Sequence, residues 1–321
     1  MERDSARRRA ILRHMPGPKL TCVASDPTLP KRVDVVVIGG GIIGASTALE
    51  LVERGVSVLL CEKGEIGREQ SSRNWGWVRI SRRDPREIPL MIEAIRAWEG
   101  MDARTGRNTG YRQTGILFAA ESDKIFARYE RWADNLRPHQ IDCRMISGPE
   151  LDQAMPGHRL DVKGALFTPI DGRAEPQWAA PAIAEAACRA GADVMTGCAV
   201  RSVDVAAGRV AGVVTETGRV ACDAVVLAGG AWSRLFAGNA GVDLPQLKVL
   251  NTVMRTTPVQ GGPDASVSTK EFALRKRADG GYTVASGNQN TVDLVPDSFK
   301  LARTFWPAEL LPIYWTGSGV N

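Results

Sequence analysis

Val33–Lys63, VDVVVIGGGIIGASTALELVERGVSVLLCEK, carries the pattern from which the fold class can be predicted. Its first residues, Val33–Ile38, are apolar and mostly β-branched, as is typical of a buried parallel strand. A glycine turn follows, then a helix over about Ile42–Arg54 and a second buried strand, Val56–Cys61. This order predicts a βαβ unit in an α/β fold with a parallel sheet.

The turn between the first strand and the helix fits the dinucleotide-binding pattern G-x-G-x-x-G. Gly39 makes the tight turn, Gly41 lets a pyrophosphate approach the backbone, and Gly44 permits close packing of the helix. Ile42 and Ile43 open the helix, whose unpaired N–H groups face the phosphates. An ordinary tight turn is the alternative, but the pattern lies between a strand and a helix and is followed by a second strand, which favours the dinucleotide site.

An acidic residue stands where the second strand ends. Glu62 follows Gly44 by 18 residues, which suits hydrogen bonds to both hydroxyls of an adenosine ribose. Its charge would repel the 2′-phosphate of NADP, so the choice is between FAD and NAD. Lys63, directly after it, joins the predicted cofactor site.

Composition and charge limit the classes of function. The chain has 321 residues, of which 44% are hydrophobic and 24% are charged, as in a globular enzyme with a sizeable core. The net charge of +5 comes from residues 1–32, which hold eight Lys or Arg against three acids. The remainder is neutral and does not attract polyanions, so nucleic-acid binding is not expected. Residues 1–32 lack apolar periodicity and are expected to form a flexible extension.

Cysteine and histidine spacing shows no metal motif. The six cysteines contain no C-x-x-C and the three histidines show no ligand spacing, so we expect no metal and a reducing, cytoplasmic compartment. The apolar run at 35–52 approaches the length of a membrane span, but four glycines interrupt it. Neither a transmembrane segment nor a secretory signal is expected.

Further elements follow along the chain. Asp84 and Pro85 predict a helix start, and a later aromatic stripe that includes Tyr129 and Trp132 predicts a helix that packs in the core. The other expected elements are the strand Tyr111–Ala120, the helix Pro176–Ala190, the strand Asp193–Met195, three strands of an antiparallel layer (Ala199–Val205, Arg209–Thr215 and Arg219–Cys222) and the buried strand Asp223–Leu227.

Three segments together resemble one family. They are Val33–Lys63, residues 71–76 (SSRNWG) and Ala224–Ser233. In order and spacing they are similar to the FAD-dependent D-amino-acid oxidase superfamily, the group with glycine oxidase, sarcosine oxidase and D-amino-acid dehydrogenase, over about residues 33–308. The resemblance implies FAD as the cofactor. It also implies a p-hydroxybenzoate-hydroxylase-like architecture, in which a Rossmann-like FAD domain with a parallel sheet joins a β-rich antiparallel substrate domain.

The resemblance implies a division of the chain as well. Residues 33–110 and 160–240 are expected to form the non-contiguous FAD-binding domain, and residues 111–159 and 241–308 the substrate domain. Residues 309–321 are expected to be an atypical tail, because the family's C-terminal segment over the flavin ring has no counterpart here. On this expectation the chain binds FAD weakly and has little activity of its own.

The implied FAD contacts extend beyond the glycine turn and Glu62. Ala228, Gly229 and Trp232 stand where the family's chain returns to the cofactor, and the backbone of Val200 stands where the adenine is met. The remaining implied contacts are Ser71, Ser72, Arg73 and Asn74. A plain strand-to-helix turn at Gly229 is the alternative there.

Val78–Arg82 resembles the T-R-I-I-R stretch of N-methyl amino-acid oxidases. The first arginine of that stretch, Arg79 here, lies near the reactive edge of the flavin, and the second, Arg82 here, pairs with the substrate carboxylate. A guanidinium fork is suited to that partner; a solvated basic loop is the alternative. The lysine with which those oxidases activate oxygen falls near Ala285 and is absent, which favours a dehydrogenase.

The implied function is oxidation of the C–N bond of a small amino acid or secondary amine, as in D-amino-acid oxidases and dehydrogenases, by hydride transfer to flavin. The electron acceptor is unknown. Two alternatives stay open. One is a truncated or non-catalytic flavin-binding protein or subunit that needs a partner, and the other is an NAD-dependent dehydrogenase with the same fingerprint.

Overall fold

The fold is seen in a computed structural model that describes residues 19–291, 294–302 and 304–305, with the side chains of 288–290 left aside. The expected tail, 309–321, and residues 1–18 of the expected extension lie outside the described residues. Within the described ranges, no helix combines the length and apolar character needed to cross a bilayer.

Strands and helices alternate early in the chain, and strands dominate later. The strands are β1 (Val35–Ile38), β2 (Val58–Cys61), β3 (Trp77–Val78), β4 (Arg112–Gln113), β5 (Ile116–Ala120), β6 (Arg144–Ile146), β7 (Gly164–Thr168), β8 (Gly172–Arg173), β9 (Asp193–Met195), β10 (Val200–Ala206), β11 (Arg209–Thr215), β12 (Arg219–Ala221), β13 (Ala224–Leu227), β14 (Leu250–Arg255), β15 (Ser266–Ser268), β16 (Phe272–Lys276) and β17 (Tyr282–Thr291). The helices are α1 (Ile42–Val52), α2 (Gln70–Arg73), α3 (Ile88–Glu99), α4 (Met101–Thr105), α5 (Asp123–Ala133), α6 (Gly148–Ala154), α7 (Pro176–Arg189), α8 (Ser233–Asn239) and α9 (Pro296–Lys300).

A four-stranded parallel sheet, in the order β13-β1-β2-β9, contains the predicted βαβ unit. All four residues of β1 pair with β2 on one side and with β13 on the other. Val37 packs with the apolar faces of α1 and α7, whereas Val36 faces the small antiparallel sheet β10-β11-β12. Because both faces are covered, apolar residues occupy successive positions of the strand. The predicted α/β fold is confirmed.

The β-rich part is a seven-stranded sheet in the order β14-β17-β16-β15-β5-β7-β6. Its strand pairs are antiparallel except for β15 with β5. Phe118 and Leu166 on one face pack with Tyr129 of α5, and Leu117 and Ala165 on the other face pack beside α6. The expected combination of a parallel sheet with a largely antiparallel one is therefore confirmed.

The expectation of one strand over Tyr111–Ala120 is wrong. The chain breaks at Gly115 into β4, which joins β3 and β8 in a three-stranded sheet, and β5, which joins the seven-stranded sheet. Gly115 has a φ of +75°, and a Cβ there would lie 2.3 Å from the Phe167 ring. The glycine thus lets the chain turn from one sheet into the next.

Part of the expected flexible extension lies against the parallel sheet. The Asp26 N–H donates to Val194 O at 2.8 Å, and its carboxylate accepts from the Val194 N–H at 2.6 Å. Ser25 Oγ accepts from the Thr196 N–H at 3.1 Å, and Val23 is buried in the core beside α7. These contacts cover the outer edge of β9, which would otherwise be an open edge of the sheet.

The carboxyl ends of β1, β2 and β13 lie at one edge of the parallel sheet. Gly39, Glu62 and Ala228 are the first residues after these strands, so the fold brings them together there. In open α/β sheets, ligands bind at this edge.

Candidate active site

A cavity of about 780 Å³ opens where β1, β2 and β13 end and α1 begins. We call it the dinucleotide cavity. Twelve of the fifteen cofactor residues predicted from the sequence line it, namely Gly39, Gly41, Ile42, Ile43, Glu62, Lys63, Ser71, Asn74, Val200, Ala228, Gly229 and Trp232. Gly44, Ser72 and Arg73 do not. Their contacts with a cofactor stay predictions, but the fold gathers most of these residues in one place.

The three fingerprint glycines have different surroundings. Gly39 has a φ of +110°, and a Cβ there would lie 2.5 Å from Ala228 O. A Cβ on Gly44 would lie 1.8 Å from Gly39 O, so Gly44 allows α1 to pack on the strand end. A Cβ on Gly41 would meet only Ser71 Oγ, at 3.1 Å, and the backbone of Gly41 is extended. Gly41 therefore keeps space open in the dinucleotide cavity.

Two backbone donors orient the Glu62 carboxylate. The Gly40 N–H donates to Oε2 at 2.7 Å and the Gly64 N–H donates to Oε1 at 2.8 Å. The side chain is buried and lines the dinucleotide cavity. Each carboxylate oxygen has a second acceptor site, so the predicted ribose hydroxyls would add to these bonds rather than replace them.

Ser71 and Asn74 fix one wall of the cavity. Ser71 Oγ accepts from the Ile42 N–H at 2.9 Å, which satisfies one donor at the start of α1. Asn74 Oδ1 accepts from the Gly76 N–H at 2.6 Å, and its Nδ2 donates to Gln70 O at 3.1 Å. These bonds hold the chain in a turn between α2 and β3.

Two lysines approach the Trp232 ring. Lys63 Nζ lies 3.4 Å from the ring centroid and Lys248 Nζ lies 5.2 Å from it. Lys63 also pairs with Glu69 at 3.3 Å. Lys248 was not predicted, because a single lysine in a turn gives no sequence signal for a contact with a ring 16 residues away.

A second cavity, of about 840 Å³, adjoins the first. We call it the arginine cavity because Arg79 and Arg82 both line it. Glu69, Gln70 and Asn74 line both cavities. The predicted arginine pair therefore lies next to the predicted cofactor residues.

Ser72 and Arg73 belong to α2, beside residues that line the two cavities. Ser72 is buried, and its carbonyl accepts from Gln177 Nε2 at 2.9 Å, which ties α2 to α7. Arg73 pairs with Glu69 at 3.8 Å and lines the arginine cavity rather than the dinucleotide cavity. Cofactor contacts of both residues stay predictions.

The Arg82 guanidinium lies against two aromatic rings that are themselves in edge contact. Its guanidinium carbon lies 4.8 Å from the Phe118 ring centroid and 4.6 Å from the Tyr129 ring centroid. Burial lowers the pKa of Arg82. Within the described ranges, no ion pair joins it to an acidic side chain. Its N–H groups are therefore available to an anion in the cavity.

Arg79 is engaged with the protein. Its guanidinium donates to Ser81 O, and its carbon lies 5.8 Å from the Phe118 ring centroid. Burial, and then repulsion from Arg83, lowers the pKa of Arg79 to about 10, while Asp171 acts in the opposite direction. Arg79 therefore remains cationic at neutral pH, and of the two arginines only Arg82 has no backbone acceptor in the part of the chain that the structure describes.

Sequence reasoning missed the aromatic partners of Arg82. Tyr129 was interpreted as core packing; it is buried, but its ring also contacts Arg82. Phe118 was seen only as part of a strand. A cation above two rings leaves no local pattern, because the three residues come from separate elements. Among the described residues, no group of three or more His, Cys, Asp or Glu is placed to hold a metal ion.

Residues 34–320 match the family described as DAO, FAD-dependent oxidoreductase. The chain belongs to this family. FAD is accordingly the cofactor, and the NAD-dependent alternative is overturned.

Relatives in the family include proteins of known activity. The L-amino acid deaminase of Proteus myxofaciens, solved in complex with anthranilate, is 37% identical with a TM-score of 0.86, over 89% of this chain and 66% of that one. Human mitochondrial sarcosine dehydrogenase is 28% identical over 76% of this chain and 28% of the human protein. Sarcosine oxidase subunit beta of Rhodobacter capsulatus is 29% identical over 74% of this chain and 58% of that subunit. The matched part of the chain thus spans between 28% and 66% of these relatives.

The dinucleotide cavity fits the cofactor of this family. Gly41 keeps open a space beside the start of α1 that a side chain would fill, where the pyrophosphate is expected. Glu62 offers a buried, oriented carboxylate with acceptor sites to spare. The wall that contains Ser71 and Asn74 leads on to the arginine cavity.

Proposed function

We propose that this chain forms the FAD and substrate sites of an oxidoreductase that oxidises the C–N bond of a small amino acid or secondary amine. One observation carries the proposal. Arg82 lies against two aromatic rings and makes no ion pair with an acidic side chain among the described residues, in a cavity that adjoins the dinucleotide cavity and that Glu121 also lines. An arginine in this setting is suited to a substrate carboxylate.

The residues of the arginine cavity bind and orient the substrate. FAD, when bound, supplies the two-electron acceptor. The fork of Arg82 binds both carboxylate oxygens and thereby fixes the position of Cα. Arg79 adds positive potential while it keeps its bond to Ser81. Trp77 and Phe118, in edge contact at 6.0 Å, form an apolar wall that excludes water.

The names of the relatives support an amino acid or N-methyl amino acid as the substrate. The proteins named above are an L-amino acid deaminase, a sarcosine dehydrogenase and a subunit of a sarcosine oxidase. The D-configuration implied by the sequence resemblance is one candidate and the L-configuration is another. The carboxylate common to all of them is what Arg82 would bind.

The assignment of chain segments to a cofactor domain and a substrate domain is also a proposal. The sheet order supports it, because β1, β2, β9 and β13 come from 33–110 and 160–240. Strand β7 pairs with β5 and β6 in the seven-stranded sheet. We therefore start the second cofactor segment after Thr168 rather than at 160, and assign 111–168 and 241–308 to the substrate side.

We favour a dehydrogenase over an oxidase. Ala285, where the resemblance expects an oxygen-activating lysine, is buried in β17 between Val253 of β14 and Ala273 of β16. A methyl group at this position has neither a charge nor an exchangeable proton. A cytoplasmic location also stays a proposal, supported by six cysteines that are all unpaired.

A flavin-binding subunit is the second candidate. The relative from Rhodobacter capsulatus is named as a subunit, and this chain matches 58% of its length. In that case the chain would hold FAD but would turn over substrate only together with a partner.

The test is anaerobic reduction of the purified, FAD-loaded chain by a panel of glycine, sarcosine and both configurations of alanine and phenylalanine. Bleaching of the visible flavin absorption by at least one of them, and reoxidation by an artificial acceptor faster than by oxygen, is expected. Stable flavin with no bleaching by any amine would favour the subunit. Failure to retain any flavin would overturn both candidates.

A further inference from the structure

A buried carboxylate outside the predicted site holds the loop that carries both arginines. Asp171 is fully buried, and one of its oxygens accepts from the Ile80 N–H at 2.7 Å. The other oxygen accepts from Ser81 Oγ. Ile80 and Ser81 are themselves fully buried and are the residues next to Arg79 and Arg82. Both bonds therefore go to the two residues that separate Arg79 from Arg82 in the sequence.

Asp171 is itself fixed from the other side. It lies in the turn between β7 and β8, where its N–H donates to Thr168 O at 3.2 Å and its carbonyl accepts from the Gly115 N–H at 2.8 Å. The next residue, Gly172, pairs with Val78 of β3, directly before the loop. The Asp171 carboxylate thus joins the loop to the turn between β7, in the seven-stranded sheet, and β8, in the three-stranded sheet.

The loop needs such a support because of its backbone. Arg82 has a φ of +54°, a left-handed conformation that is unfavourable for a residue with a side chain. Arg79 donates to Ser81 O. The two hydrogen bonds that Asp171 accepts therefore also hold the carbonyl to which Arg79 is bound. The charged or titratable groups that face Asp171 are Arg79 from the loop, Tyr111 before β4 and Cys143 before β6.

We infer that Asp171 is a positioning residue for substrate binding: through Ile80 and Ser81 it holds Arg82 in the orientation in which its guanidinium meets the substrate carboxylate. The inference rests on the proposed function of the arginine cavity. Asp171 touches neither substrate nor cofactor on this account, and its loss should weaken carboxylate binding while FAD remains bound.

The test compares Asp171→Asn with Ser81→Ala and with a matched control. The asparagine keeps the shape and an acceptor for the Ile80 N–H, and Ser81→Ala removes only the second bond. Asp102 is the control, because its carboxylate also accepts from one backbone N–H and one hydroxyl, both of Thr109, at 2.7 and 2.6 Å, and it lines neither cavity.

The readout is the dissociation constant of benzoate, a flat carboxylate without an amine, followed by tryptophan fluorescence of the full chain loaded with FAD. We expect it to rise at least about fivefold in Asp171→Asn and in Ser81→Ala, with the flavin content unchanged, and to stay constant in Asp102→Asn. In the double variant Asp171→Asn with Arg82→Ala, the two effects should not add, because both act through one contact.

The outcomes separate the inference from the proposed function. An unchanged dissociation constant in Asp171→Asn, or effects that add fully in the double variant, would overturn the role of Asp171. If Asp171→Asn does not fold, Ser81→Ala gives the same decision alone. Absence of turnover with any amine, while benzoate still binds and depends on Asp171, would overturn only the proposed reaction.

Discussion

At the scale of single residues, two positions of the same sequence motif can have very different surroundings in the site. A Cβ on Gly41 would meet only the Ser71 hydroxyl at 3.1 Å, whereas one on Gly44 would meet a carbonyl oxygen, although both belong to one sequence pattern. Arg82 and Arg79 are three residues apart, but among the described residues only Arg79 is bound to a backbone carbonyl. Substitutions at these pairs therefore separate folding from ligand binding.

Gly41→Val should abolish FAD retention while the chain stays folded, because the new side chain would fill the cavity rather than the core. Gly44→Val should prevent folding, since even a Cβ would lie 1.8 Å from Gly39 O. Circular dichroism and the flavin absorption of the purified variants measure the two effects. A Gly41→Val variant as yellow as the parent would show that the cofactor lies elsewhere.

Arg82→Ala should raise the substrate KM at least about tenfold with little change in flavin content, because a charge-assisted bond to the carboxylate is lost. Arg82→Lys should recover only part of the loss, since an ammonium group lacks the planar fork. Arg131→Ala, exposed on the same helix as Tyr129 and absent from the lining of the arginine cavity, is the control and should leave KM unchanged. Equal KM values for parent and Arg82→Ala would move the carboxylate site out of this loop.

At the scale of elements, a buried ion pair joins the start of α7 to β16. Arg275 Nη1 lies 2.8 Å from Glu175 Oε1, with 1% and 7% of the two side chains exposed. Glu175 also accepts from the Ala278 N–H at 2.8 Å, and Arg275 Nε has no hydrogen-bond partner among the described residues. The pair links the helix that packs on the parallel sheet to the seven-stranded sheet.

Glu175→Gln should lower the free energy of unfolding by about 3–5 kcal/mol, because it leaves Arg275 buried without a counter-charge. Arg275→Met together with Glu175→Gln should be less harmful than Glu175→Gln alone, since the buried charge of Arg275 is removed with that of its partner. The exposed pair Arg96 and Glu93 is the control, and Arg96→Ala should cost less than about 1 kcal/mol. Urea titrations followed by tryptophan fluorescence give these values. A double variant as unstable as the single one would mean that packing, not charge, sets the cost.

The sequence predicts an element when the residues that form it and the contacts that stabilise it lie close together along the chain. The unit Val35–Cys61 depends on a strand, a turn and a helix that touch each other within 30 residues, and its pattern shows all three. The hydrogen bond from the Ile80 N–H to the Asp171 carboxylate joins residues that are 91 positions apart in the sequence, and no periodicity links these two residues. Gly115 separates the polar residues 112–114 from the apolar run 116–120, and the approach of the Phe167 ring shows why the strand breaks there. The local pattern predicted the fingerprint side of the dinucleotide cavity, and the family resemblance supplied its other residues together with Arg79 and Arg82. The aromatic contacts of Arg82 are tertiary and could not be predicted.

At the scale of the whole molecule, burial of Asp171 makes global stability depend on pH. Burial raises the pKa of Asp171 to about 6 from the ordinary value of 3.8. Between these values the folded chain keeps a proton that the unfolded chain has lost, so the free energy of unfolding falls as the pH rises through that window. The cost of the buried charge, about 3 kcal/mol, is present in full above it.

Asp171→Asn should remove this component. Its free energy of unfolding, measured by urea titration between about pH 4 and 8, should therefore decline less with rising pH than that of the parent. The difference between the two curves should change only within the window between the two pKa values and stay constant above it. Parallel curves throughout would show that Asp171 ionises as it does in the unfolded chain.

The wall that the two cavities share has a thermodynamic consequence. Glu69, Gln70 and Asn74 line both cavities, and the bonds of Asn74 to Gln70 and Gly76 set the turn between them. A ligand that orders this turn from one side lessens the entropy that the other ligand must lose. Such heterotropic cooperativity is reciprocal, so benzoate should tighten FAD by the same factor by which FAD tightens benzoate. Calorimetric titrations in both orders would measure that factor, and Asn74→Ala should bring it close to one.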